Sequence, residues 1–413
     1  MRPFTSTISL DEARRRLEAA VRPIARTKQI GIADAAGRVV AAAVASSIDV
    51  PAFARSAMDG YAVVSADTAH ATSATPARLR LIDRIYTGQP SRVTVVPGTC
   101  AEIATGAPLP AGADAVVMVE ETATDGEQIH IRAATAPGRN VGRRGADIMT
   151  GDLVVREGEA LTPSRIGALA AIGQTEVTVY AKPRVAILST GNEVVDPGRR
   201  LKTGQIYDVN RFTLGAIVEA HGGAPRSYKA AEDTLESLAE ALDACLESDL
   251  IVFSGGSSVG TRDLVVDLVT ARGEMIFHGI AVKPGKPTAF ALVGKLGKSG
   301  TSGQSGQTPF FGMPGNPTSC LSNAYILLIP FLRATARLQP HTPRTVRVPL
   351  GRRIASSAGR HQFYTVRLEN GAAVPAFKGS GDITSLSQAD GYIEIPSDQS
   401  VVEEGTLVDV TLF

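Results

Sequence analysis

Tryptophan is absent and aromatic residues make up only 5% of the chain, which leaves little material for stacking on bases or sugars. Cysteine is scarce too. Cys100, Cys245 and Cys320 lie far apart with no CxxC pair, which argues against a disulfide framework and a cysteine-rich zinc site. Six histidines are scattered and form no HExxH. Neither sign of charge dominates: 42 basic against 41 acidic side chains leave +1, so electrostatics give no case for a nucleic-acid partner. The longest nearly unbroken apolar run, 324–332, has nine residues and contains Pro330, whereas a membrane-spanning helix needs about 20. The opening MRPFTSTISLDEARRR lacks the apolar centre of a signal peptide. The expectation is a soluble cytoplasmic protein with neither nucleic-acid nor membrane partners.

What the chain does have is core and shaped loops. At 413 residues and 44% hydrophobic composition it has room for two to four domains, at roughly 150 residues each. Its 41 Gly and 24 Pro exceed the ~12% that the two average in proteins, too small an excess for a fibrous or disordered chain. Ser9 and Glu12 form a capping box before an apolar stripe of Leu10, Ala13, Leu17 and Val21. Short β-like runs at 61–64, 78–85, 115–119 and 128–132 follow, separated by Gly, Pro and Asp clusters. Helical periodicity returns at Thr162–Pro163 and stops at Gly173. The β stretch therefore reads as an insertion between two pieces of one elongated domain.

From 182 to 336 apolar strands (185–188, near 227–229, 250–253, 289–293, 310–312) alternate with helices. Asn210 is expected to cap the first, Asp233 with Glu236 and Asp263 are candidate caps for the next two, and Asn316–Pro317 opens a long one. This pattern predicts an open, mostly parallel α/β sheet with ligands beyond its carboxyl ends. The segment 295–307 reads as a Gly/Ser-rich hairpin tip, and β-rich sequence resumes after a linker at 339–343. The fold class is multidomain α/β plus β. Its four expected units are an elongated mixed domain (1–45 and 146–181), an inserted β domain (46–145), the α/β domain (182–336) and a β-barrel-like C-terminal domain (337–413).

Three loops carry candidate chemistry. Ser254-Gly255-Gly256-Ser257-Ser258-Val259-Gly260 joins a strand to a helix. It is neither GxxxxGK[ST] nor GxGxxG, but its glycines permit close backbone approach and Ser257 and Ser258 add hydroxyl donors. Lys283-Pro284-Gly285-Lys286-Pro287 holds two cations on a restricted turn, suited to phosphate or another oxyanion, although a solvated charged loop would look the same. Pro314, Asn316 and Ser319 in MPGNPTS either start a helix or line an anion site. Asp59, Glu193, Asp208, Asp233 and Asp263 sit beside turns or strand ends; near phosphates, two or more would suit Mg²⁺, while each alone also reads as a cap or turn former.

These motifs occur in one order together with SAMDGYAV (56–63), TGNE (190–193) and GQIYDVN (204–210). In that combination the chain resembles the MoeA family of molybdopterin molybdenumtransferases, related to the C-terminal domain of gephyrin, over essentially its whole length. The resemblance implies insertion of molybdenum from molybdate into adenylylated molybdopterin with release of AMP, dependent on Mg²⁺, by a homodimer. It implies an upstream molybdopterin adenylyltransferase and downstream molybdoenzymes as neighbours. By motif position, Asp59, Thr105, Asp147, Glu193, Asp233 and Asp263 would line the cleft, with Glu193, Asp233 and Asp263 as metal ligands. Ser257, Ser258, Lys283, Lys286, Pro314, Asn316, Ser319, Arg360 and Ser380 would bind substrate. Where relatives have a second arginine after Arg360 this chain has Thr365, and Arg367 is the nearby substitute. The alternatives are a tungstate-handling paralogue and a non-catalytic scaffold with the same fold.

Overall fold

The computed structural model describes residues 7–89, 91–229, 231–232, 234–255, 264–294 and 307–413. The chain forms two compact units, 29–179 and 1–28 with 180–413. Asp233, Asp263, Ser257, Ser258 and nearly all of 295–307 lie outside the described residues.

In the smaller unit a six-stranded sheet runs in the order Ala115–Met118, Gly60–Val63, Thr99–Ile103, Ala77–Ile85, Gln128–Ile131, Thr122–Asp125. Its alternating side chains fill two cores, one around Val63 and Ile129 and the other around Ala62 and Ile103. A third core, around Val155 and Leu169, packs the helix Pro163–Ala171. Thr162 caps that helix by accepting from the Arg165 N–H, and Gly173 leaves it at φ +77°, as the sequence pattern requires.

The larger unit is built on six strands: β1 (Arg184–Ser189), β2 (Ala224–Ser227), β3 (Leu250–Ser254), β4 (Gly273–His278), β5 (Ala289–Val293) and β6 (Thr308–Met313). They lie in the order β2-β1-β3-β6-β5-β4. Neighbours from β2 to β6 pair parallel, whereas β5 pairs antiparallel with both β6 and β4. The sheet is thus mixed, and β4, with half-exposed and exposed residues at its start, carried too weak an apolar pattern to be expected. β1 is buried on both faces. Val185 and Ile187 join a core with the helices Leu10–Ala20 and Asn210–Ala220, while Ala186 and Leu188 face Leu238 and Leu242 of Leu235–Cys245. The helix Leu10–Ala20 therefore belongs with the α/β core, a partner that its amphipathic stripe could not specify. Ser9 caps it as expected.

Three other local expectations change. Asn210 is the first residue of its helix rather than the cap. The cap of Leu235–Cys245 is Thr234, whose hydroxyl accepts from the Ser237 N–H. The long helix after Asn316 is divided into Pro317–Asn323, a π-turn Ala324–Leu328 and Ile329–Thr335. Pro330 lacks an N–H, so the ladder must be re-spaced ahead of it.

The C-terminal sheet runs Val282–Lys283, His361–Glu369, Gly391–Ile395, Leu407–Leu412, Thr345–Pro349, with Ala372–Pro375 against His361–Glu369. Leu350 bridges back to Ala373, which curls the sheet toward a barrel. Its first ladder, Val282 with His361 and Lys283 with Gln362, is parallel and joins this sheet to the loop that carries the two lysines.

Candidate active site

Register brings three strand ends into one row. Ser189 of β1 pairs with Ser254 of β3, and Ser254 with Met313 of β6. Beyond that row opens a cavity of about 1180 Å³ within the larger unit, where a parallel sheet is expected to bind ligands. Its lining includes Glu193, Lys283, Lys286, Pro314, Asn316 and Ser319, and also Arg360 and Ser380 from the C-terminal part. All eight described site residues expected in this unit are therefore brought together.

The floor is a polar network whose side-chain roles were not legible in the sequence. Asp208 Oδ1 accepts from the Ser189 hydroxyl at 2.9 Å and from the Arg211 N–H at 3.0 Å, so Asp208 serves the helix start that Asn210 was expected to serve. The Arg211 guanidinium lies 3.4 Å from Asp208 and is also bound to Asp196. That hydrogen bond holds the Asp196 carboxyl below its usual range. Asn210 Nδ2 donates to Ser254 Oγ at 2.6 Å and to the Gly315 carbonyl at 2.7 Å, tying the ends of β3 and β6 together. Three oxygens at this floor, Thr190 Oγ1, Asp208 Oδ2 and Asn210 Oδ1, are buried without a hydrogen-bond partner among the described residues. Asp208 Oδ2 still faces the Arg211 guanidinium, whereas an unpaired oxygen such as Thr190 Oγ1 or Asn210 Oδ1 costs about 1–3 kcal/mol.

One wall is cationic. Lys283 Nζ donates to Ser357 Oγ at 2.9 Å. The turn between Lys283 and Lys286 is locked from below by buried Asn323, whose Nδ2 donates to the Gly285 carbonyl at 2.9 Å and also to Thr288 Oγ1. Gly285 has φ +109°, and a Cβ there would sit 2.3 Å from Asn323 Nδ2. Arg360 stands exposed beyond Gly359. Asn316 holds the N-cap position of its helix, as expected, but makes no side-chain capping bond; its amide donates instead to Ser380 Oγ at 3.1 Å, while the Thr318 N–H donates to the Ser380 carbonyl. Arg367 pairs with Glu369 at 3.0 Å, and neither it nor buried Thr365 is among the residues lining this cavity.

Glu193 is exposed at the rim. It folds over Gly191, where φ is +136° and a Cβ would lie 2.7 Å from its Oε2. Asp59, Thr105 and Asp147 belong to the smaller unit. There Asp59 Oδ1 accepts from the Thr105 N–H at 2.8 Å, and the Asp147 N–H donates to the Val50 carbonyl at 3.0 Å. Cys100, Cys245 and Cys320 are buried, and burial pushes each thiol up to about 12, so none supplies a thiolate nucleophile. The arrangement can hold an anion against the lysines while presenting acceptors from below and a carboxylate at the mouth.

Comparison with known proteins accounts for nearly the whole chain. Residues 8–173 match the model of the MoeA N-terminal region (domain I and II), 186–334 a probable molybdopterin binding domain, and 347–413 the MoeA C-terminal region (domain IV). Molybdopterin molybdenumtransferase 2 of Mycobacterium tuberculosis is 34% identical over 405 residues, 95% of each protein. The molybdopterin molybdenumtransferase of Haemophilus influenzae is 31% identical over 98% of each. Among solved structures, the molybdopterin biosynthesis MoeA protein of Pyrococcus horikoshii superposes with a TM-score of 0.83 at 37% identity, covering 98% of this chain and 99% of its own.

Proposed function

Given that this chain belongs to the MoeA family, we propose that its cleft takes adenylylated molybdopterin and molybdate, inserts molybdenum into the dithiolene and releases AMP. The observation that carries this reading is the single cavity combining Lys283, Lys286 and Arg360 with Glu193 and the polar floor. Named molybdenumtransferases that match over nearly full length support it.

Molybdate is a dianion and the pterin and adenylate phosphates are anionic, so the cationic wall is their natural seat. In this reading Lys283 and Lys286 bind phosphoryl oxygens and offset the charge that gathers as AMP departs. Arg360, with the hydroxyls of Ser319 and Ser380, receives the oxyanion. Pro314 and Asn316 shape the loop under it, and Ser257 and Ser258 are assigned to substrate phosphate.

A divalent cation fits the donor chemistry of the rim, because the Glu193 carboxylate offers the hard oxygen that Mg²⁺ prefers. Among the described residues no group of three or more His, Cys, Asp or Glu could hold a metal; by motif position Glu193 is assigned to act with Asp233 and Asp263. Bound there, Mg²⁺ would neutralise the phosphoanhydride and polarise it for cleavage. Asp59, Thr105 and Asp147 are assigned to the same reaction, completing the cleft in a homodimer. The protein is taken to act in the cytoplasm between a molybdopterin adenylyltransferase and the molybdoenzymes that receive the cofactor. AMP release from adenylylated molybdopterin, measured with and without molybdate, tests the reading. Molybdate-dependent AMP is expected, and its absence with intact substrate would overturn it.

A further inference from the structure

The proposed function leaves the orientation of the substrate open, and the floor of the cleft addresses it. Thr190, Asp208 and Asn210 are 4%, 4% and 7% exposed and all line the cavity. All three surround the paired strand ends Ser189 and Ser254: Asp208 through the Ser189 hydroxyl, Asn210 through Ser254 Oγ, and Thr190 through its N–H to the Ser254 carbonyl. Thr190 Oγ1 and Asn210 Oδ1 are buried without a hydrogen-bond partner among the described residues, and Asp208 Oδ2, likewise without a hydrogen bond, faces only the Arg211 guanidinium at 3.4 Å. The donors beside them are engaged: both contacts of Asn210 Nδ2 go to protein oxygens, and the Ser189 hydroxyl is given to Asp208. This floor seeks N–H or O–H donors, the opposite of the lysine wall.

The acceptors could in principle hold a cation, but Arg211 already neutralises Asp208 from 3.4 Å, and a second positive charge would be repelled there. A neutral donor edge meets no such penalty. Resting on the proposed function, we infer that Thr190, Asp208 and Asn210 receive the N–H edge of an amino-substituted heterocycle of the substrate. Its phosphates then point to Lys283 and Lys286. Two parts of adenylylated molybdopterin carry such an edge, the pterin and the adenine.

The decisive variant is Thr190→Val. Its hydroxyl has no hydrogen-bond partner among the described residues, so a purely structural residue should tolerate the change with an unaltered or raised melting temperature. The full-length protein and the variant are titrated with pterin alone, AMP alone and Mg²⁺ alone. The inference expects a fold as stable as the parent's and roughly five- to tenfold weaker binding of one heterocycle. Loss confined to pterin assigns the edge to the pterin, and loss confined to AMP assigns it to adenine. Asp208→Asn, which replaces an acceptor by a donor, should weaken the same probe. Unchanged affinity for both heterocycles, or weakening confined to Mg²⁺, would overturn the inference. A parent that releases AMP on molybdate addition while Thr190→Val matches it in every titration separates this failure from failure of the proposed function.

Discussion

Lys286 and Lys283 occupy a loop whose backbone is fixed from beneath by Asn323, so the points from which their side chains reach are set before a ligand arrives. Such preorganisation makes a charge-assisted contact worth about 1.5–3 kcal/mol. Lys286→Ala should therefore raise the molybdate or pterin substrate concentration needed for half-maximal AMP release by about ten- to a hundredfold, at fixed ionic strength. The melting temperature should barely move. An unchanged dependence on both substrates would reduce the turn to a solvated charged loop. A second residue-scale outcome concerns His221, pushed down to about 4 by burial, with His341 and Arg333 adding repulsion. Between the unfolded value near 6.5 and about 4, the unfolded chain holds a proton that the folded chain does not. Stability contributed by neutral His221 is complete above pH 6.5 and is lost as pH falls through that window. Melting curves at pH 7, 6 and 5 should show a smaller acid loss for His221→Gln than for the parent. Identical slopes would contradict this. Neither the Asn323 lock nor the His221 environment could be read from sequence, because the first joins residues tens of positions apart and the second residues more than a hundred apart.

Elements whose signals are local were legible. Ser9, Thr162–Pro163 and Gly173 specify helix ends through bonds made within a few residues, and the structure makes those bonds, although the Glu12 carboxylate pairs with Arg15 and Arg16 instead of closing the capping box. Illegible elements depend on the surroundings. Asn210 looks like a cap, yet its amide is recruited by Ser254 and Gly315 once β3 and β6 lie side by side. The antiparallel turn of β4 against β5 escaped because hydrophobic alternation reports burial and not strand direction. The KPGKP turn offers a test at this scale. Gly285→Ala forces a side chain into φ +109° and against Asn323, which should cost at least about 1–3 kcal/mol. A lower melting temperature together with weaker substrate binding is expected. A variant as stable as the parent would show that the lock is loose.

At the scale of the whole molecule, the ordered motifs and the alternation of element types pointed to the family and to an α/β core joined to β-rich parts. Allocation of pieces between cores was less visible: the helix Leu10–Ala20 carries the stripe of any amphipathic helix, and only the folded chain shows it against Val185 and Leu214. In the proposed homodimer the site is shared between subunits, so light scattering at micromolar concentration should return about twice the 43.1 kDa of one chain. A monomer would remove that part of the proposal. The central claim is that the cleft at the ends of β1, β3 and β6 couples oxyanion insertion to AMP release. The most direct measurement incubates the purified protein with adenylylated molybdopterin and Mg²⁺ and follows AMP as molybdate is added. AMP should appear in proportion to molybdenum bound in the dithiolene and fall sharply in Lys286→Ala. Release indifferent to molybdate, or no release from intact substrate, would contradict the account.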